Sequence, residues 1–395
     1  MSPLPDTADP AFAWPDVLSR LIAGHDLSSA QSGWAMRRIL TGEATPAQIA
    51  GFAVALRAKG ETVDEVEGLV ATMYEFATPV TFDRRAVDIV GTGGDRSHTV
   101  NISTMAALVT AGAGVPVVKH GNRAASSSCG SADVLEHLGI PLDLTPAQIE
   151  KVADLVGITF CFAPVFHAAL RHSAAPRREL GVATTFNFLG PLANPARPAA
   201  QAVGVADLRM APIIAGVLAK RGVDGFVFRG DDGLDELTTT TTSQIWSIAG
   251  GRVVQEQVDP AELGVSRSTA DDLRGGDVEF NADAVRRLLS GAAGPVRDAV
   301  LLNAAAGIAA YEAAEGALVE RLAEGYVRAS AAVDCGAAEA KLAAWVAAAA
   351  VVLRARRGSG ADTPRQLELS RTEQHLSQPY SGGPSANAAS RSWRE

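Results

Sequence analysis

Two segments of this chain combine glycines, cations and amides in patterns suited to binding phosphate. In the first, a short apolar run leads into a glycine loop that ends in an acid, Asp88-Ile-Val-Gly-Thr-Gly-Gly-Asp95. Glycine lets backbone N–H groups turn toward a phosphate, and a helix start behind such a loop adds positive potential. In the second, an apolar run ends in Lys119-His-Gly-Asn-Arg123, whose cations suit a second phosphate. Together they predict a site for a sugar that carries phosphate at one end and pyrophosphate at the other.

Each phosphate segment also has a plainer explanation. The glycine loop departs from the dinucleotide fingerprint, because Arg96 stands in place of the third glycine, and it departs from the Walker pattern as well. Alone it could be a tight turn between strand and helix. Asn101-Ile-Ser-Thr104 could be only a helix N-cap, although Ser103 and Thr104 could also bind a metal or a phosphate. The basic segment is harder to explain as an exposed loop, since ligands bind where strands end in open α/β sheets.

An acidic segment, Asp231-Asp-Gly-Leu-Asp-Glu236, is a candidate metal site. It is not a calcium-binding EF-hand loop, because the twelfth position is Thr242 and not glutamate. On a regular strand Asp235 and Glu236 would point to opposite faces, whereas in a loop both could face one magnesium ion. A solvated acidic turn is the alternative.

A basic stretch with helical character contains His167, Arg171, His172, Arg177 and Arg178. Its histidines have no carboxylate or cysteine partners at zinc-ligand spacing, so we interpret them as structural or exposed. An arginine in this stretch is a candidate to hold a carboxylate through two parallel hydrogen bonds. The residue types alone do not say which arginine it is.

The elements that must position these groups can be read from periodicity and capping. Apolar periodicity and capping boxes at Thr45 and Thr62 predict that residues 11–82 form a helical domain of four helices. We expect helices from about 165–200 to pack with this domain. Residues 83–357 alternate short Val/Ile runs with alanine-rich stretches, which predicts an α/β domain with a mostly parallel sheet. Strands are expected at 86–90, 115–119, 158–162, 202–205, 225–229 and 244–248, with a hairpin at 248–254. We expect a buried helix at 343–353, a flexible tail at 1–10 and a disordered tail at 358–395.

Composition narrows the class of function. The chain has 395 residues, 47% of them hydrophobic, and a net charge of −9, which disfavours nucleic acid as a partner. Its 3 cysteines have no paired spacing, which favours a reducing, cytoplasmic location, and we expect them to pack as small apolar residues. No apolar stretch is long enough to span a bilayer, so no membrane association is expected.

Seven motifs, in order along residues 85–305, resemble those of anthranilate phosphoribosyltransferases. They are GTGGD (91–95), NIST (101–104), KHGNRAASS (119–127), GSADVLEHLG (130–139), RRELG (177–181), FNFLGPLANPA (186–196) and DELTTTTTSQIW (235–246). The resemblance implies a small all-helical domain hinged to a larger α/β domain, the fold of nucleoside phosphorylases and phosphoribosyltransferases. It implies magnesium-dependent transfer of the 5-phosphoribosyl group from phosphoribosyl pyrophosphate to anthranilate, in tryptophan biosynthesis. It also implies two magnesium ions per active site and a homodimer formed through the N-terminal helices.

The resemblance further assigns roles to individual residues. Those implied to bind phosphoribosyl pyrophosphate are Gly91, Gly94, Asp95, Thr99, Asn101, Ile102, Ser103, Thr104, Lys119, His120, Gly121, Asn122, Arg123, Ala124, Ala125, Ser126, Ser127 and Ser131. Those implied to contact anthranilate are Gly91, Asn122 and Arg177, and those implied to bind magnesium are Ser103, Asp235 and Glu236. No general base is expected, because an aniline nitrogen is already neutral near pH 7 and substrate positioning lowers the barrier.

The chain departs from the family pattern at several positions. Near the acceptor channel, Ala168 stands where the family usually has proline, and Leu170 stands where a bulkier residue is common. Ala183 replaces a frequent arginine, and Cys129 is unusual in its loop. Two alternatives remain open: a pyrimidine nucleoside phosphorylase of related fold, which would not use the Asp235–Glu236 pair, and a non-catalytic nucleic-acid-binding relative, which would need a basic stripe.

Overall fold

The amino-terminal part of the chain forms the four helices that its start signals predict. The computed structural model describes residues 12–124 and 128–358, so the tail expected at 1–10 and nearly all of the tail expected at 358–395 lie outside the described residues. The helices are α1 (Trp14–Ile22), α2 (Ser29–Leu40), α3 (Pro46–Lys59) and α4 (Val63–Phe76). Thr45 and Thr62 complete the expected capping boxes, each accepting a hydrogen bond from the amide three residues on.

Within residues 12–124 and 128–358, seven strands form one mixed sheet. They are β1 (Val87–Gly91), β2 (Val117–Gly121), β3 (Ile158–Phe162), β4 (Ala200–Gly204), β5 (Asp224–Gly230), β6 (Ser243–Ala249) and β7 (Arg252–Val258). The order is β3-β2-β1-β4-β5-β6-β7, with parallel pairing from β3 to β5 and antiparallel pairing beyond. The mostly parallel sheet and the hairpin are therefore confirmed. Because β1 is flanked by β2 and β4, the order of the sheet reverses between β1 and β4, where ligands bind in open α/β sheets.

The second strand begins and ends later than its apolar run predicts. It covers Val117–Gly121 instead of 115–119. Pro116 has no N–H group to donate, and its carbonyl accepts a hydrogen bond from the amide of Val87 just before the strand begins. The polar side chains of Lys119 and His120 are buried within the strand, where hydrogen bonds take the place of apolar contacts.

Helices connect the strands and cover both faces of the sheet. They are α5 (Ile102–Gly112), α6 (Ser131–His137), α7 (Pro146–Val156), α8 (Ala163–Phe166), α9 (Arg171–Leu180), α10 (Met210–Lys220), α11 (Val278–Leu289), α12 (Pro295–Glu312), α13 (Leu318–Asp334) and α14 (Ala337–Gly358). On one face, α5 and α12 pack on the central strands and build one core with Val87 and Ile89. On the other face, α10 and the amino-terminal helices share a second core with Val90 and Val203. Because side chains alternate along a strand, Asp88 points to the same face as Val90, which is this second face.

Two sequence expectations about packing are corrected. The stretch 343–353 is not a fully buried helix: Trp345, Ala349 and Val352 are buried, while Ala343 and Ala344 on the same helix are exposed. Alanine tolerates either environment, so an alanine-rich run does not by itself indicate burial. Cys335 is also exposed, because it caps the end of α13, whereas the other two cysteines are buried as expected.

Among the described residues, no single helix is both long and apolar enough to cross a membrane. The consecutive helices α13 and α14 reach that length and apolarity only when taken together, and they are bent by 68°.

Candidate active site

The acidic loop after β5 lies across the carboxyl ends of β1 and β4. Gly91 and Gly204, the last residues of these strands, are directly paired. A Cβ at Gly204 would lie 1.6 Å from the carbonyl oxygen of Asp235, and one at Gly91 would lie 2.3 Å from its Oδ2. Only glycine at both positions leaves room for the loop to reach the switch point of the sheet.

Asp235 and Glu236 do not form a solvated turn, because each is only 8% exposed. Asp235 Oδ2 accepts a hydrogen bond of 2.7 Å from the amide of Gly93, in the glycine loop. Leu237, which follows the acidic pair, is held by Asn303 of α12. The Asn303 side chain accepts a hydrogen bond from the amide of Leu237 at 2.9 Å and donates one to the carbonyl of Leu237 at 2.8 Å. The acidic pair is therefore fixed from both the sheet and α12.

These buried carboxyl groups concentrate negative charge. Burial, followed by the charge of Asp95, raises the pKa of Asp235 to about 7. Burial and the neighbouring Asp235 raise the pKa of Glu236 well above its usual value, and the charge of Lys119 only partly opposes this. The described residues contain no cluster of three or more His, Cys, Asp or Glu side chains arranged to hold a metal ion. The pair therefore suits a hard cation that takes its remaining oxygen ligands from a substrate, Ser103 or water.

Lys119 connects the acidic pair to both phosphate segments. Its side chain is buried, donates to the carbonyl of Ile89 in β1 and lies 3.4 Å from Ser103 Oγ at the start of α5. Burial lowers the pKa of Lys119, while Asp88 and the acidic pair oppose that fall. The amine is thus positioned where the glycine loop, α5 and β2 meet.

The start of α5 presents polar atoms without partners. Asn101 Oδ1 and Thr104 Oγ1 are buried and make no hydrogen bond within the described residues, while Asn101 Nδ2 donates to the carbonyl of Cys129 at 3.1 Å. Ile102 is buried in the core. Unpaired buried polar atoms at a helix start are costly unless a ligand satisfies them.

The glycine loop is held in an unusual conformation. Gly93 and Gly94 have positive φ, and so do the non-glycine residues Arg96 and His98. Asp95 Oδ1 accepts from the amide of Ser97 at 3.3 Å. Thr99 then forms a β-bridge with Arg274, which braces the loop from outside the sheet. Left-handed non-glycine residues are frequent at functional sites.

The second phosphate segment extends from β2 to α6. Gly121 ends the strand, and Asn122 is exposed with its Oδ1 accepting from the amide of Arg123. Arg123 forms ion pairs with Asp133 at 2.8 Å and Glu136 at 2.9 Å, so its charge is directed toward α6. Asp133 also accepts from the amides of Ala124 and Gly130, and Ser131 begins α6. Ala125, Ser126 and Ser127 lie outside the described residues.

Arg177 is the partly buried arginine of the basic stretch, whereas Arg171 and Arg178 are exposed. Its guanidinium lies 5.5 Å from the centre of the Phe186 ring. Within the described residues no acid lies within ion-pair distance of it, and burial lowers its pKa. A partly buried cation with no acidic partner is suited to bind a ligand carboxylate.

His167 is a buried structural residue, as predicted, and it pairs with a second histidine. The rings of His120 and His167 are 5.3 Å apart, and they contact the carbonyls of Gly190 and Ala193 at 3.0 Å and 2.7 Å. Burial lowers the pKa of His120 to about 3, so this ring is neutral at physiological pH. Its Nε2 is buried with no hydrogen bond among the described residues.

Sequence analysis missed three residues that hold this site together: Asp88, Asn194 and Asn303. Asp88 is fully buried in β1 and accepts hydrogen bonds from the amide of His120 at 3.1 Å and from Asn194 Nδ2 at 2.8 Å. An acid within an apolar strand was a visible signal for Asp88. Nothing local in the sequence distinguished the asparagines.

Comparisons with known proteins identify the family of this chain. The profile of the glycosyl transferase family, a/b domain, matches residues 83–339, and that of its helical bundle domain matches residues 15–77. Anthranilate phosphoribosyltransferase of Nocardioides sp. is 64% identical over 337 residues, 85% of this chain and 99% of the relative. The protein of the same name from Thermobifida fusca is 61% identical over 84% of this chain and 96% of the relative.

Solved structures give the same result. Anthranilate phosphoribosyltransferase from Thermus thermophilus superimposes with a TM-score of 0.79 at 40% identity, over 85% of this chain and 99% of that one. The enzyme from Saccharomyces cerevisiae, solved in complex with PRPP (phosphoribosyl pyrophosphate) and Mg, superimposes with a TM-score of 0.78 at 25% identity, over 86% and 98% of the two chains. The chain therefore belongs to the anthranilate phosphoribosyltransferase family.

Proposed function

We propose that this protein transfers the 5-phosphoribosyl group of phosphoribosyl pyrophosphate to the amine of anthranilate and releases pyrophosphate. The observation that carries the proposal is the buried Asp235–Glu236 pair, which lies between the glycine loop and Lys119 at the switch point of the sheet. Two relatives, 64% and 61% identical to this chain, are named for this activity.

Magnesium fits the residues at this position. Ser103, Asp235 and Glu236 supply hard oxygen ligands, too few to complete an octahedron, which suits an ion that also binds substrate oxygens and water. We propose two ions per site. When bound, magnesium would neutralise charge on the departing pyrophosphate and orient it.

The protein's own groups position the donor. Breaking the bond from ribose to pyrophosphate builds positive charge on the sugar, as in other oxocarbenium-like displacements. The turned amides of the glycine loop and the start of α5 would bind the pyrophosphate, and Lys119 would place a cation beside it. Asn122 to Ser127 and Ser131 would wrap the remainder of the donor.

Anthranilate has to be oriented in the site, and its reaction depends less on proton transfer. Arg177 would take the anthranilate carboxylate in a forked pair of hydrogen bonds, with Asn122 and Gly91 near the ring. The neutral His120 adds no positive charge beside the sugar. Since the amine is already an uncharged nucleophile, its approach to the sugar at close range supplies much of the rate enhancement.

We further propose a cytoplasmic homodimer that associates through the amino-terminal helices. Two apolar side chains on these helices support the proposal, because Ile22 is 79% exposed and Val54 is 43% exposed. Light scattering after gel filtration would give the mass: a dimer for the wild-type protein and a shift toward monomer for Ile22→Glu. A wild-type monomer would contradict the proposal.

The test of activity follows the fluorescence of anthranilate with phosphoribosyl pyrophosphate present, with and without magnesium. The expected result is a magnesium-dependent loss of signal, with pyrophosphate released in equal amount. A parallel assay for phosphate-dependent cleavage of uridine and thymidine tests the nucleoside phosphorylase alternative. Cleavage there without loss of anthranilate would overturn the proposal.

A further inference from the structure

The backbone hydrogen bonds between β1 and β2 stop short of the active site. Among the described residues, the two strands are in register only at Val87 and Val117, whereas β1 and β4 are paired from Val87 to Gly91. Strand β2 is likewise fully paired with β3, from Val117 to Gly121. The gap lies at the end of the sheet where the donor segments begin.

Two side chains take the place of the missing backbone bonds. The amide of His120 donates to Asp88 Oδ1 at 3.1 Å, and Lys119 Nζ donates to the carbonyl of Ile89. Each bond joins a side chain of one strand to the backbone of the other. The end of β2 is therefore held to β1 by one carboxylate and one amine.

Asp88 is itself held rigidly. Its Oδ2 accepts from Asn194 Nδ2 at 2.8 Å, and the same nitrogen donates to the carbonyl of Val118 at 2.8 Å. Asn194 Oδ1 accepts from the amide of Ala196. All three polar side chains, Asp88, Asn194 and Lys119, are at most 2% exposed. A fully bonded buried network of this kind holds one geometry, and an ionised member strengthens its hydrogen bonds.

From this geometry we propose that Asp88 is a positioning residue for donor binding: its carboxylate fixes the end of β2 and thereby orients Lys119 to Asn122 toward the phosphoribosyl donor. Asp88 acts through the amide of His120 and through its charge on Lys119, and it does not contact substrate. The inference rests on the proposed function only in naming the donor.

Asp88→Asn is the sharpest variant, because it keeps the shape and removes the charge. An asparagine cannot accept from His120 and Asn194 together, since one of its two positions becomes a donor. The KM for phosphoribosyl pyrophosphate should rise by about 10-fold, as expected for the loss of a charged hydrogen bond, and the KM for anthranilate should change by less than about 2-fold. Asn194→Ala should shift the donor KM the same way but less, because Asp88 still binds the amide of His120.

Gln201→Leu is the matched control. Gln201 lies beside Asp88 in register on β4, is similarly buried and donates to the carbonyl of Pro191 at 3.0 Å. It therefore ties the same segment to β4. It should lower stability and leave the donor KM unchanged.

Hydrogen exchange of the ligand-free protein supplies a readout that needs no turnover. Peptides that cover 117–124 should exchange faster in Asp88→Asn than in the wild type, and the Gln201→Leu control should match the wild type there. Unchanged exchange, or equal rises in both KM values, would overturn the positioning role. An inactive wild type would count against the proposed function, while the exchange result would still decide the role of Asp88.

Discussion

Asp235 is a carboxylate whose burial is costly in the metal-free protein. The like charge of Asp95 adds to the cost of burial, and the backbone hydrogen bond from Gly93 offsets only part of it. Buried charged groups at a binding site lower stability when no ligand compensates their charge.

Asp235→Asn should therefore abolish turnover and yet stabilise the metal-free fold. A raised pKa means that the ionised form costs stability above pH 7 and that this cost fades as the carboxyl takes up a proton on acidification. The gain in Tm, about 2 °C, should be larger at pH 8 than at pH 5. Thermal unfolding in EDTA at the two pH values measures it.

Asp231→Asn in the same loop is the control with the opposite sign. Hydrogen bonds from Thr242 and Gln244 lower the pKa of Asp231, so its charge is stabilised and its removal should lower Tm. If Asp235→Asn also lowered Tm at pH 8, the account of an uncompensated buried charge would be wrong.

Arg177 should determine acceptor affinity through the shape of its guanidinium and not through charge alone. Arg177→Lys keeps the charge but loses the fork, so the KM for anthranilate should rise by about 10-fold while the donor KM stays constant. Arg178→Lys, at the exposed neighbouring position, is the matched control. Steady-state kinetics with each substrate varied in turn measures both, and an equal response of the two variants would reassign the carboxylate site.

At the scale of elements, close packing between the acidic loop and the strand ends decides the site. Gly204→Ala would drive a Cβ into the backbone of Asp235. We expect a loss of more than about 3 kcal/mol in the free energy of unfolding, or displacement of the loop with loss of activity. Chemical denaturation together with an activity assay measures both effects.

Gly190→Ala tests whether glycine replacement alone is harmful. Within the part of the chain that the structure describes, nothing lies within 4 Å of a Cβ at Gly190, and its φ is not left-handed, so this variant should behave as the wild type. A wild-type-like Gly204→Ala would show that the loop does not lie against β4.

At the scale of the whole molecule, the buried histidine pair links stability to pH. Burial lowers the pKa of His167, so the folded protein does not bind a proton that the unfolded chain accepts below its ordinary pKa of 6.5. Stability is therefore lost as the pH falls below that value, by up to about 1.4 kcal/mol per pH unit for each histidine.

His167→Gln removes one of these titrations and keeps a donor for the carbonyl of Ala193. From pH 7 to pH 5, its free energy of unfolding should fall by about 1 kcal/mol less than that of the wild type. Urea titrations at the two pH values measure the free energy of unfolding of each protein. The carboxyl groups are common to both proteins, so their contribution cancels when the variant is compared with the wild type. Parallel pH curves would contradict the prediction.

Much of the fold could be predicted because its signals are local. Capping boxes at Thr45 and Thr62, the apolar runs of the strands and the paired glycines of the hairpin each depend on a few consecutive residues. The family could be predicted too, because seven short motifs in order are specific together. The sequence could not predict which faces of α14 are exposed or that Cys335 is exposed. Both depend on which other helices pack against these residues.

The sequence by itself determined which chemical groups this protein has and the order of its helices and strands. Only the tertiary structure decided that Asp235 is buried over Gly91 and Gly204, that Arg123 pairs with Asp133 and Glu136, and that Asp88 bonds to His120. The physical reason is distance along the chain: these contacts join residues that no local pattern relates. Their energies come from burial and from paired charge, which exist only after the chain has folded.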